Sequence, residues 1–183
     1  LVSISLGEKR RARAEKTMGN ALLFLAGGSI VIAAAGGMLS TPVLELSGAS
    51  PTMLPLSKEY LDIIVWGIPF STLAFGLNYF IRAEGNPRYA MYTLFVGAFA
   101  NIVLDAVFIL KLGMGIRGAA LATVASQLLS LGWAAAYYLR RRGVLRFRRK
   151  NLRPDRVIVG RMLAIGTAPF LTEFSFTFIM ALF

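Results

Sequence analysis

The chain has 183 residues, 56% of them hydrophobic, with a formal net charge of +11 and a mean hydropathy of +0.64. Soluble domains average about 45–50% apolar residues, so the composition argues against an ordinary water-soluble globule. Cysteine and histidine are both absent, which excludes disulfides, thiolate chemistry and histidine-based metal or acid–base sites from this stretch.

The charge is concentrated in three short segments: EKRRARAEK (8–16), RAEGNPR (82–88) and RRRGVLRFRRKNLRPDR (140–156). Five apolar segments lie between and after them, over residues 20–46, 60–81, 89–110, 119–139 and 157–183. Each is close to the roughly 20 residues a helix needs to cross a ~30 Å hydrocarbon core. Lipid offers no partner to an unpaired backbone group, and the period-two alternation of a membrane barrel is absent, so helix is expected throughout. The predicted fold class is therefore all-α, a polytopic transmembrane helix bundle. The first residue is Leu1 and the last, Phe183, falls inside an apolar run. On that ground the chain is expected to be a piece of a longer protein. The basic start lacks the short apolar stretch and cleavage site of a signal peptide.

The basic loops alternate with loops that carry few cations, as positive-inside topology requires. That places the residue 1 end and the 140–156 loop on the cytoplasmic side. It also accounts for the basic loop without nucleic acid, which is not expected as a partner. Tyr137 and Tyr138 suit an interfacial aromatic belt.

Small residues recur every four positions in the first segment (Ser29, Ala33, Gly37) and the fourth (Gly118, Ala122, Ser126, Ser130, Ala134). Such spacing lets helix backbones approach closely, and close packing is its simplest reading. Pro69 and Pro169 fall inside the second and fifth segments, where each removes a backbone N–H and should kink its helix.

The costly residues are the intramembrane polar ones. An Asp at the centre of a membrane helix costs about 2.5–3.5 kcal/mol on insertion scales. Asn101 and Asp105 are four residues apart and share a helix face. Counting ~1.5 Å per residue from Tyr89 puts Asp105 about 24 Å along its helix, in the outer half of the membrane; Thr123 lies about 9 Å down the next helix, at similar depth. Gln127 is one turn deeper, near the level of Asn101. A carboxylate with amide and hydroxyl oxygens nearby suits a proton or a hard cation such as Na⁺. The alternatives at this point are an interfacial Asp105 reaching water and a Thr123 that bonds its own helix backbone. Asn78, one turn from Arg82, is expected to be a pore-lining or packing residue, and with Gln127 it is a candidate substrate or coupling contact. Glu173 follows Pro169 by one turn, either as a coupling or substrate site or as a protonated acid in a packed interface.

In order, GNALLFL, EYLDIIVWGIPF, RAEGNPRYAM, NIVLDAVFI and MGIRGAALATVASQ resemble the multidrug and toxic compound extrusion (MATE) transporters, and GTAPFLTEF resembles the start of that family's second lobe. The resemblance covers nearly the whole chain and implies helices three to seven of a two-lobe, twelve-helix transporter. Residues 1–139 would belong to the first lobe, 140–156 would be the cytoplasmic inter-lobe linker, and 157–183 the first helix of the second lobe, truncated. It implies a secondary antiporter that exports small cationic drugs or metabolites in exchange for H⁺ or Na⁺ by alternating access. Asn101, Asp105 and Thr123 match the first-lobe cation site, which in the family also uses an Asp on the first helix. Glu173 matches a seventh-helix acid used by several members. The expected location is the plasma membrane, multi-pass, of a bacterium or archaeon, with membrane lipid as a partner and the full-length protein working as a monomer. No cofactor beyond the coupling ion and no metal beyond Na⁺ at Asp105 is implied. The competing readings are a lipid-linked oligosaccharide flippase, whose anionic substrate would favour intramembrane Arg or Lys, and a non-transporting membrane scaffold. No nucleophile–base pair or phosphate loop appears, so an enzyme is not expected.

Overall fold

The computed structural model describes residues 1–147 and 149–182, with the side chains of 149, 150, 177, 178, 181 and 182 left aside. Arg148 of the expected linker and Phe183 at the end of the fifth segment lie outside the described residues. The regular secondary structure of the described residues is helical, with no strand among them. The main helices are α1 (Val2–Gly7), α2 (Arg11–Met38), α3 (Ser40–Leu46), α4 (Leu54–Ile64), α5 (Ile68–Ala83), α6 (Pro87–Asp105), α7 (Gly115–Leu139) and α8 (Arg156–Leu182). Among the described residues, five spans are long and apolar enough to cross a membrane: α2, α4 with α5, α6 with the turn after it, α7 and α8.

The element ends follow local chemistry. In RAEGNPR, Gly85 adopts φ +86°, a conformation glycine takes without strain, and ends α5. Asn86 then caps α6, its side-chain oxygen accepting the Tyr89 N–H at 3.1 Å, and Pro87 occupies the first turn, where no intrahelical N–H is needed. Pro69 stands in the first turn of α5 and cannot donate to the Val65 carbonyl. A 3₁₀ turn, Val65–Gly67, separates α4 from α5, and the Ile68 N–H bonds that carbonyl instead. Pro169, by contrast, lies within a continuous α8.

Two bounds differ from the sequence expectation. The first span begins at Arg11 rather than Asn20 and ends at Met38, with residues 40–46 forming the separate α3. Arg, Ala, Glu and Lys are strong helix formers, so the helix runs past its apolar stretch into the basic segment. Tyr137 and Tyr138, expected in an interfacial belt, are buried among protein side chains. They pack into an aromatic cluster in which Tyr89 and Tyr137 lie 4.7 Å apart and Tyr137 meets Tyr138 edge-on at 5.1 Å.

The chain forms two compact units, residues 24–146 and residues 1–23 with 147–183. In the first, α7 packs against α4, α5 and α6. Gly118, Ala122, Ser126 and Ala134 of its small-residue stripe are buried, consistent with close helix approach. At Gly97 of α6 an added Cβ would stand 3.2 Å from Ser130, and at Gly36 of α2 it would stand 3.2 Å from Val65. The Glu84 carboxylate accepts the Val144 N–H at 2.6 Å, tying the RAEGNPR turn to the loop after α7.

In the second unit a polar seam joins α2 to the segment before α8. Asn20 is 1% exposed. Its amide nitrogen donates to the carbonyls of Lys16, Asn151 and Arg153 at 3.0, 3.3 and 3.2 Å, and its oxygen accepts the Asp155 N–H at 2.7 Å. Gly19 sits against the Asn151 carbonyl so closely that an added Cβ would collide with it. Asp155 caps α8 by accepting the N–H groups of Val157 and Ile158, and Lys16 reaches it at 2.5 Å. Those three donors, Lys16 foremost, hold the Asp155 carboxyl below its ordinary pKa of 3.8.

Candidate functional site

Asn101 and Asp105 stand on the last turns of α6, four residues apart and on one face. The Asn101 amide nitrogen approaches the Thr123 hydroxyl of α7 at 3.5 Å. Thr123 also donates to its own helix, to the Ala119 carbonyl at 2.9 Å. Its hydroxyl therefore spends its proton on the backbone and presents lone pairs outward. Depth counting pairs Thr123 with Asp105, whereas the structure pairs it with Asn101, one turn along α6.

Asp105 is the last residue of α6 proper. A π-helical turn, Ala106–Lys111, follows it directly. Asp105 Oδ1 is buried and has no hydrogen-bond partner among the described residues. Buried carboxylate oxygens are ordinarily satisfied, so this one is available to a proton or a cation.

A cavity of about 260 Å³ opens between α5, α6 and α7. Asn101, Thr123 and Gln127 all line it, joined by hydroxyls of Ser71, Thr93 and Ser130. Asp105 is not among its lining residues. Gln127 Oε1 is a second buried acceptor without a partner. It comes so close to Gly67 that any Cβ there would collide with it. The glycine in the 3₁₀ turn is thus what admits Gln127. The cavity lining contains no charged side chain.

The other predicted residues lie elsewhere. Asn78 is 3% exposed and donates to the Ala90 carbonyl at 2.6 Å, which pins α5 to α6 rather than facing this cavity. Glu173 is an exposed residue of α8 in the other compact unit, and Pro169 stands one turn before it. Pro69 adjoins the 3₁₀ turn that carries Gly67. Sequence reasoning took Ser126 and Ser130 as packing only, yet both line the cavity, and Ser130 donates to the Thr93 carbonyl at 3.0 Å. The available signal was that they share Gln127's helix within one turn. In the first turn of α7, Arg117 forms an ion pair with Glu59.

Long apolar helices that carry a carboxylate with a buried oxygen and enclose a polar cavity define a polytopic helical membrane protein. The chain belongs to the MatE family: the model of that description matches residues 1–107. It is similar to the probable multidrug resistance protein YoeA of Bacillus subtilis, 29% identical over 91% of this chain and 37% of that protein. It is also similar to the multidrug export protein MepA of Staphylococcus aureus, 29% identical over 72% of this chain and 29% of that protein. The chain thus spans 37% and 29% of the lengths of these two curated relatives. A multidrug resistance MATE family transporter of the MOP superfamily has the same fold in two conformations, at 24% identity in each case. The inward-facing form matches with a TM-score of 0.85 over 91% of this chain and 38% of its own, and the outward-facing form with 0.80 over 86% and 35%. The chain is therefore a multi-pass membrane protein of a transporter family, whose bacterial relatives fit the cytoplasmic membrane.

Proposed function

We propose that this chain is the first-lobe portion of a secondary antiporter that exports cationic drugs or metabolites in exchange for H⁺ or Na⁺. The observation that carries the reading is the buried, unpartnered Oδ1 of Asp105, one helical turn from the Asn101–Thr123 pair. A carboxylate, an amide oxygen and a hydroxyl are hard donors that fit Na⁺, and the carboxylate alone fits a proton. Either ion removes an unpaired charge from a low-dielectric setting and so changes which packing of α6 and α7 is favoured. A ligand that binds two conformations unequally shifts their balance, which is the thermodynamic requirement for coupling.

The descriptions of YoeA and MepA as multidrug proteins support the substrate class. The inward- and outward-facing relatives support alternating access. A polar cavity without cationic side chains suits a cationic guest, with Gln127 as a contact. In this reading residues 140–156 link the lobes, α8 opens the second lobe, Glu173 is a second acid there and Pro169 its hinge. Asn78 serves the packing of α5 on α6. The protein acts as a carrier, not an enzyme, and as a monomer.

The test uses the full-length gene in an efflux-deficient host. Asp105→Asn should reduce export of a fluorescent cation by about tenfold or more at equal expression, within the range of ordinary coupling energies. Export at the wild-type rate would overturn the coupling role. Varying Na⁺ and pH separately in proteoliposomes then identifies the ion.

A further inference from the structure

The compact unit formed by residues 1–23 and 147–183 contains a second cavity, of about 570 Å³, where the basic start of α2 meets the start of α8. Arg13 and Lys16 come to it from α2, and Asp155, Val157, Ile158 and Arg161 from the α8 side. The local ion pairs decide which of these charges is free. Arg10 pairs with Glu8 at 3.3 Å, Arg11 with Glu15 at 3.4 Å, and Lys16 with Asp155 at 2.5 Å. Each acidic side chain of the neighbourhood is thereby engaged by a cation other than Arg13 or Arg161. Both arginines are exposed, and both face the same cavity from different helices. Asp155 contributes the single negative charge, which Lys16 offsets.

Both helices are membrane spans, and these are their basic ends. The cavity therefore lies where an apolar span meets its charged flank. Val157 and Ile158 add an apolar wall, and Val157 is exposed. Basic pockets between membrane helices at the cytoplasmic side suit anionic headgroups, and the guanidinium fork matches phosphate oxygens in two-point contact. We infer that Arg13 and Arg161 together hold the phosphodiester of an anionic phospholipid in this cavity, with the acyl chains lying along the apolar flank of α8. A soluble phosphate would use the same two guanidiniums but would gain nothing from that flank.

The experiment titrates fluorophore-tagged phosphatidylglycerol into the purified full-length protein in zwitterionic detergent and follows anisotropy. At about 1 kcal/mol per interfacial arginine, Arg13→Gln and Arg161→Gln should each weaken binding about fivefold, and the double variant about thirtyfold. Arg142→Gln, outside the cavity, should leave binding unchanged. Arg13→Lys with Arg161→Lys keeps the charge and should recover part of the affinity; it also covers a glutamine double variant that fails to fold. Unlabelled phosphatidylglycerol should compete, while phosphatidylcholine and millimolar inorganic phosphate should not. Equal competition by phosphatidylcholine would show an apolar groove alone and overturn the inference. Competition by inorganic phosphate would reassign the site to a soluble phosphate and overturn the lipid. Unchanged affinity in the glutamine variants would overturn the role of the two arginines.

Discussion

The seam at Asn20 and the polar face shared by α6 and α7 use the same kinds of side chain to opposite ends. At the seam, one amide meets three carbonyls and one N–H, so both of its donors and its acceptor are used. On α6 and α7, Asp105 Oδ1 and Gln127 Oε1 are buried with nothing to accept from. A satisfied buried network fixes a geometry, while an unsatisfied group stores a cost that a ligand can relieve. Burial alone does not distinguish the two regions; the state of the lone pairs does, although the Tyr138 hydroxyl in the aromatic cluster is also buried without a partner among the described residues.

The contrast can be broken by mutation, and the largest effect belongs to the seam. Asn20→Leu leaves two loop carbonyls and the Asp155 N–H unpaired, and should lower stability by about 3 kcal/mol at roughly 1 kcal/mol per orphaned group. Thermal unfolding of the full-length protein in detergent measures it. Gly19→Ala drives a methyl into the Asn151 carbonyl and should cost about 2 kcal/mol by the same assay, as overpacking does. Asp105→Asn should move stability the other way, raising it by about 1 kcal/mol, because it removes the charge from a half-buried carboxylate whose Oδ1 has no partner among the described residues. A seam-like loss there would mean that Asp105 is structural. The smallest effect is pH dependence at the seam. The Asp155 carboxyl has a lowered pKa when folded, so its contribution is present above the ordinary value of 3.8 and fades as pH falls below it toward the folded value. Hydrogen exchange at Val157 and Ile158, followed from pH 7 downward at corrected intrinsic rates, should show protection lost only in that acid window.

Much of the architecture was legible because it rests on local rules. RAEGNPR places a glycine, a capping amide and a proline where a helix end and a helix start need them, and the turn forms there. The stripe on α7 was legible as packing because small residues at four-residue spacing have one main use in a membrane. The pairing across α6 and α7 was less so. Rise per residue locates a side chain only along a regular helix, and the π turn at Ala106–Lys111 is irregular. With the connection through Gly113 and Gly115, both at positive φ, it sets where α7 starts relative to α6. Thr123 consequently faces Asn101 rather than Asp105. The cavity hydroxyls were hidden for another reason: the serines that let α7 pack closely also line the space beside it, and spacing alone cannot divide those roles.

The placement of Asp105 bears on how the protein is made. A segment enters the bilayer according to its summed transfer free energy, and an Asp subtracts from that sum, by up to about 2.5–3.5 kcal/mol at the helix centre. The span that carries it, Pro87–Lys111, is the most apolar of the five spans among the described residues, more so than α7, whose cavity-lining polar groups are all uncharged. Its surplus of Phe, Val, Leu and Ile favours entry of the carboxylate at the translocon before α7, which follows it in the chain, has arrived. Replacing a few of its exposed residues outside the cavity lining, such as Phe95 or Phe99, with alanine would spare the groups of the site. It would make insertion of α6 depend on α7, turning a question of ion chemistry into one of biogenesis.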